Sequence, residues 1–405
     1  MFKIPFSFSN ENEGYITLPT MRKFAKEYKC ENLSTTADRP TMISAIDTFA
    51  NISNQNKEYV MNWVDASLKE GAKDIQVKLL DLVLSDIDRL KDEEYVQGLL
   101  EGILYNPQCK HFCENDFGKD IKLYRYEIEN GNWGKVICLY LGKRLHFYDK
   151  LNGTRTAGYP MCVEIYVDKG YVATRAKSKA GMYKLMENTF VLEEAKSTNV
   201  EKEIKNSLAY VIELFGLVTK TSSDANGFFR NKLYIMLDRY TFTPKEIRDL
   251  MDSKSFESEN VKKYIMGPIC NLDESYESDV ISDIKNMVEK YFSISYIDKG
   301  VFTRNRDAYP LKILATDEEE SKVEQTSAEE EPLQSKAVFF DNKKMIQKSQ
   351  LCDGVRFRFS RINTKYCSRC FDVKITIKGD ACNFKFMEYT MEEDITHVLF
   401  SLIDT

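Results

Sequence analysis

Two acidic residues and a lysine near the C-terminal end have the types and spacing for metal chemistry. Asp353 precedes one strand-like run, and Asp372-Val373-Lys374 lies in the next. Carboxylates on adjacent strands can hold Mg²⁺, a hard ion that takes oxygen ligands. A lysine two residues on shares the strand face of the second carboxylate, where it can position a water or stabilise phosphate charge. A half-solvated antiparallel sheet with a basic outer face gives the same pattern without chemistry. Two cysteine groups invite a zinc reading. Cys109-Lys110-His111-Phe112-Cys113 packs three ligand types into five residues, and Cys352, Cys367, Cys370 and Cys382 are spread along the tail. A structural zinc site needs four converging ligands. The first group cannot aim all three at one ion, and the second has a single Cys-x-x-Cys pair, so thiols in turns or cores fit both better. The chain has no phosphate-binding glycine loop, nucleophile elbow or His-Glu-x-x-His helix. Three histidines, His111, His146 and His397, leave little for imidazole-based acid–base work.

Charge supplies the second kind of candidate. The chain carries a net charge of −6, yet Lys119–Lys184 holds thirteen basic against six acidic residues. Arg175, Lys177, Lys179 and Lys184 cluster at its end, with Tyr171 and Tyr183 nearby. A second basic stretch, from Lys336 to Lys378, has eleven basic against three acidic residues and includes Arg356, Arg358 and Lys378. Basic, aromatic-flanked strands are candidate phosphate contacts. A solvated polar face is the alternative. The overall acidity does not fit a protein that coats nucleic acid nonspecifically, but it permits a localised site.

The elements that must position these residues give an α+β chain. Its expected segments are a mostly helical 1–110, a basic antiparallel sheet over 111–195, a helical 196–315, an acidic linker over 316–335 and a strand-rich 336–405 with a terminal helix. In 119–186, runs of period two cut by turn residues predict strands at 121–128, 136–141, 145–148, 163–167 and 171–175. In one of these, Cys162, Glu164 and Tyr166 oppose Val163, Ile165 and Val167. Short turns favour antiparallel pairing. Met1–Ser9 alternates apolar residues and predicts a strand. Helical spacing predicts helices over 20–28, 39–50, 57–70, 74–91, 94–105, 199–218, 260–266 and 278–292. Residues 219–227 read as a loop and hinge. Val355–Ile362 and Phe371–Lys378 alternate as strands, and a capping pattern at Thr390–Glu393 opens a last helix. The segment 316–332 is too acidic and too poor in apolar residues to order itself alone. It is a candidate dock for a protein partner.

The run of helix, extended loop and helix over 18–51 resembles the SAP-like DNA-binding motif. The residues that carry this are Met21, Phe24, Tyr28, Leu33 and Arg39-Pro40-Thr41-Met42-Ile43, with Arg39 and Met42 where the family tends to have a lysine and a leucine. The resemblance implies DNA contacts from Lys23 and Arg39. The spacing of Asp353, Asp372 and Lys374 resembles the PD-(D/E)xK nucleases, with Cys352 in place of the proline. That resemblance implies Mg²⁺ held by Asp353 and Asp372, with Lys374 positioning the attacking water or stabilising phosphate charge.

No apolar run approaches the length of a membrane span. The N-terminal residues do not read as a leader, and the ten scattered cysteines suit reduced thiols. The expected setting is therefore cytoplasmic, without membrane. The leading expectation is a nucleic-acid-associated binding or sensing subunit, DNA foremost, without its own catalysis or cofactor. Microbial antiviral defence and mobile-element systems use such subunits. The alternatives are the Mg²⁺-dependent nuclease and a protein-interaction scaffold.

Overall fold

Side chains that alternate along long strands, and helices capped at defined residues, organise the chain. The computed structural model describes residues 1–9, 15–28, 30, 37–151, 153–186, 190–316, 322–326, 331–362 and 368–404. In chain order the elements are α1 (Phe6–Ser9), α2 (Leu18–Glu27), α3 (Arg39–Ala50), α4 (Asn54–Ala66), β1 (Asp74–Leu79), α5 (Ile87–Lys91) and α6 (Glu93–Glu101). Then come β2 (Lys122–Gly131), β3 (Gly134–Asp149), β4 (Gly153–Tyr166), β5 (Tyr171–Ala176), β6 (Met182–Lys184) and α7 (Val200–Phe215). They are followed by α8 (Ser222–Tyr240), α9 (Lys245–Asp252), α10 (Ser255–Tyr264), α11 (Glu277–Ser295), β7 (Ala308–Thr316), β8 (Lys322–Thr326) and α12 (Ala337–Ser349). The last are β9 (Gly354–Ser360), β10 (Cys370–Lys378), β11 (Ala381–Phe386) and α13 (Glu392–Ile403). The fold class is α+β. No helix among the described residues is long and apolar enough to cross a membrane.

Two compact units share the chain. The first comprises residues 1–225, 361–371 and 378–397, and the second 226–360, 372–377 and 398–405. In the first, the strand order is β2-β3-β4-β5-β1-β11, with β6 also on β3. Pairing is antiparallel, and the β3–β4 ladder runs without a break from Val136↔Tyr166 to Asp149↔Gly153. One sheet face buries Leu123, Leu139, Leu141, Val163 and Ile165 with Val96 and Leu100 of α6 and Leu208, Val211 and Phe215 of α7. The other carries Cys138, Tyr140 and Cys162, packed with Met21, Phe24, Met42, Ile46, Val60 and Val64 of α2, α3 and α4. Thr17, Asp38 and Ser53 cap those three helices through side-chain oxygens. Asn199 caps α7, and Gly216, at φ +61°, ends it. In the second unit the strand order is β10-β9-β7-β8. There Tyr240 packs edge-on against Phe357 and Phe359.

Several expectations need correction. Phe6–Ser9 forms a short helix, not a strand. Asp74–Leu79 is strand β1, paired with both β5 and β11, where helical spacing predicts a helix. Ile75, Leu79, Leu82 and Val83 fit a helical period, but Ile75 and Val77 equally fit period two. The sheet decides, leaving Leu82, Val83 and Leu84 exposed. The predicted break at Gly158-Tyr159-Pro160 is continuous strand. Gly142 and Gly158 each face the ring of Phe117, and a Cβ on either would fall within 2.4 Å of it. Those glycines make room for a ring, not a turn. Residues 222–227 begin α8 instead of forming a hinge. Within the predicted acidic linker, 322–326 pairs with β7, and Leu333–Ser335 is a buried 3-10 turn. Most of the rest of that segment lies outside the described residues.

Candidate nucleic-acid interface

As β3 runs on past Leu141, its apolar face carries Lys143 and then Leu145. Here the core opens into a cleft of about 1080 Å³. β3 supplies Lys143 and Leu145, the entry to β2 supplies Lys119, Asp120 and Ile121, and α7 supplies Asn206, Ala209, Tyr210 and Glu213. The remaining wall comes from Lys184, Leu185 and Met186 at the end of β6, with Val191, Glu194 and Lys196 beyond it. Lys143 reaches inward to the buried carboxylate of Glu203, which also accepts from Thr198. Lys184 and Lys196 differ. The bridge Tyr183↔Ser197 sets them opposite each other, and the Lys184 amide donates to the Lys196 carbonyl at 2.9 Å. Both side chains are exposed, and among the described residues neither has an ion-pair partner. Like charges directly opposite across a strand pair repel. An anion between them relieves that repulsion.

An aromatic group stands on the other face of the β3–β6 pair, where His146↔Tyr183 alternates with Leu145↔Lys184, and its rings do not line the cleft. Phe190 lies edge-on to Tyr183 at 5.5 Å and to His146 at 5.0 Å, and is nearly parallel to Tyr148 at 6.3 Å. Phe190, Tyr183 and Tyr148 are half-buried, and His146 is buried. His146 holds the cleft wall in place: its Nε2 accepts from the Met186 amide at 3.1 Å, and Nδ1 meets the Thr156 hydroxyl at 2.9 Å. Burial pushes its pKa below the usual imidazole range, which keeps Nε2 an acceptor.

The other basic candidates are placed differently. Arg175 is 2% exposed, and its Nε and Nη2 both donate to Glu164 Oε2 at 2.8 Å. Tyr166 donates to the same oxygen at 2.9 Å. Strand alternation puts Arg175 on the face covered by α2–α4, so it presents nothing to a phosphate outside. Lys177 and Lys179 are half-buried, with ammonium groups 5.6 and 5.0 Å from the centre of the Tyr15 ring, where Lys73 also sits at 4.6 Å. Burial and the Arg39 guanidinium push Lys177 down to about 8. Arg39 itself donates to the carbonyls of Ser9 at 2.7 Å and Ile16 at 2.6 Å, clasping the N-terminal segment to α3. Lys23 approaches the Met391 sulfur at 3.6 Å. Helices α2 and α3 form where helical spacing predicts helices, with Met21, Phe24 and Met42 buried. Leu33 lies outside the described residues.

In the second unit, Asp372 and two of the basic candidates meet each other. Arg356 donates to Asp372 through Nε at 3.1 Å and through Nη2. Arg358 donates through Nε at 2.7 Å and Nη2 at 3.1 Å. Three of these donors converge on Oδ2 and one reaches Oδ1. Burial pushes the Asp372 carboxyl up, but the two arginines outweigh it and hold it below its usual value. Asp353 pairs with Arg230 Nε at 2.7 Å. Asp372 is 1% exposed and its charge is answered by two guanidinium groups, which Mg²⁺ would have to displace. Lys374 and Lys378 are exposed on β10. In the other cysteine-rich stretch, His111 meets Glu58 at 3.1 Å and Asp65 at 3.4 Å, while Cys113 is buried. Cys367 lies outside the described residues.

Two groupings escape the sequence reading. Lys196 lies twelve residues beyond the basic stretch, and only the Tyr183↔Ser197 bridge brings it to Lys184. On the covered face, Cys138 and Cys162 sulfurs lie 3.4 Å apart with Glu164 close by. The alternation of Cys162, Glu164 and Tyr166 was the available signal. This trio does not suit a cation. The bond to Cys162, together with burial, pushes the Cys138 thiol well up, Glu164 is engaged by Arg175, and the Lys69 ammonium is adjacent. No family model, curated protein or solved structure matches the chain.

Proposed function

We propose that the chain is a nucleic-acid-binding protein that takes backbone phosphates at the lysine cleft of its first unit, without catalysis of its own. The observation that carries the reading is the unpaired Lys184 and Lys196, set opposite each other at the cleft wall. Phosphates would take the two lysines, and binding would be sensitive to salt. Asp372, buried and paired with Arg356 and Arg358, gives no support to the nuclease alternative.

The test is a gel shift with labelled single- and double-stranded DNA and RNA at low and moderate salt, with and without Mg²⁺. A shift of intact probe that weakens steeply with salt is expected. Charge reversal by Lys184→Glu with Lys196→Glu should weaken it at least about tenfold. Probe loss that requires Mg²⁺, or no shift under any condition, would overturn the reading.

A further inference from the structure

We infer that the arm from Ser255 to Tyr276 is a docking surface for a protein segment that is basic and carries apolar anchors. Three successive elements make up this arm: α10, a π-helical turn at Ile265–Ile269 and a 3-10 turn at Glu274–Tyr276. None contains a buried residue. A ten-residue helix is marginal in water and draws its stability from burying one face. Here large apolar side chains are left out: Phe256 is 75% exposed, Ile269 70% and Tyr264 62%, with Tyr276 also open. Phe256, Val261 and Tyr264 lie on one side of α10 by their spacing. Aromatic residues of this kind dominate protein interfaces, and an exposed apolar group ringed by polar residues marks an interaction site.

The backbone adds an independent sign. A π-helical turn is costly and recurs at functional positions. It ends at Ile269, and two residues on Asn271 takes the left-handed conformation at φ +49°. Charge selects the occupant. Within the arm four carboxylates face two lysines, and Lys262 is already bridged to Glu259 and Glu277 at 2.8 Å each. A second copy of the chain would set acid against acid. A basic segment is complementary, and the complementarity would steer its approach.

A labelled amphipathic helical peptide of leucine and lysine, titrated into the full chain by fluorescence anisotropy, tests this. A leucine–glutamate peptide is the control. The lysine peptide should bind, the glutamate peptide should not, and Phe256→Ser with Ile269→Ser should weaken binding at least about tenfold. Both substituted side chains are exposed, so circular dichroism should stay unchanged. Equal binding by the variant, or no binding of the lysine peptide, would overturn the inference. So would sedimentation showing self-association of the native chain that the variant loses, because a second copy would then be the occupant.

Discussion

The two faces of the first unit's sheet are built from the same strands and bury their residues by opposite means. Toward α6 and α7, Leu139, Leu141, Val163 and Ile165 exclude water, and nothing there needs a partner. Under α2–α4 the alternate positions are Cys138, Tyr140, Cys162, Glu164 and Arg175. Two buried cations there are answered, Arg175 by Glu164 and Lys69 by Glu129 at 3.2 Å and Glu392 at 3.4 Å, whereas Lys73, buried against the Tyr15 ring, is pushed by burial well below the usual lysine range toward its neutral form. An aliphatic face tolerates imperfect packing at a graded cost. A charged face tolerates nothing unmatched, because an uncompensated ion loses its solvation outright. Basic residues on the covered face are therefore committed, whereas Lys184 and Lys196, where the aliphatic face runs out, are not. The surface proposed for nucleic acid lies where the core ends, not where basic residues are densest in sequence.

Breaking a single member of the charged face should have the largest effect. Glu164→Ala strands Arg175 and should cost about 3–5 kcal/mol in urea unfolding. Glu164→Leu combined with Arg175→Met should cost clearly less than that single change, since both ions leave together. A double that costs the sum would contradict the matched-pair account. On the aliphatic face, Leu139→Ala should cost about 2–5 kcal/mol through its cavity. Gly158→Ala, which drives a methyl into the Phe117 ring, should cost about 1–3 kcal/mol. The smallest effect is a pH slope. Lys177 titrates at about 8 in the fold, below its ordinary value of 10.5. The unfolded chain therefore binds more protons there between pH 8 and 10.5, so stability should rise with pH across that window. Lys177→Met should flatten that rise when the two chains are unfolded side by side.

How much of this was legible follows from which forces are local. Alternation in Cys162–Val167 showed two faces, because strand periodicity is written residue by residue. It did not show which face a helical layer would cover, so Arg175 read as a surface cation. Helical and strand periods both fit Asp74–Leu79, and only pairing with β5 and β11 resolves them. The tail strands around Phe357 and Val373 were clear. The arginine clamp on Asp372 was not, since the strand pattern leaves open whether Arg356 and Arg358 face phosphate or a neighbouring carboxylate. Lys196 was invisible because its meaning is a tertiary pairing.

The most direct test of the central claim compares two charge reversals on opposite faces. Oligonucleotide affinity would be measured by anisotropy for Lys184→Glu/Lys196→Glu and for Lys177→Glu/Lys179→Glu, both confirmed folded. The account predicts a loss of at least about tenfold for the first and little change for the second. Equal losses, or a loss confined to the second, would contradict it and move the interface to the lysines around Tyr15.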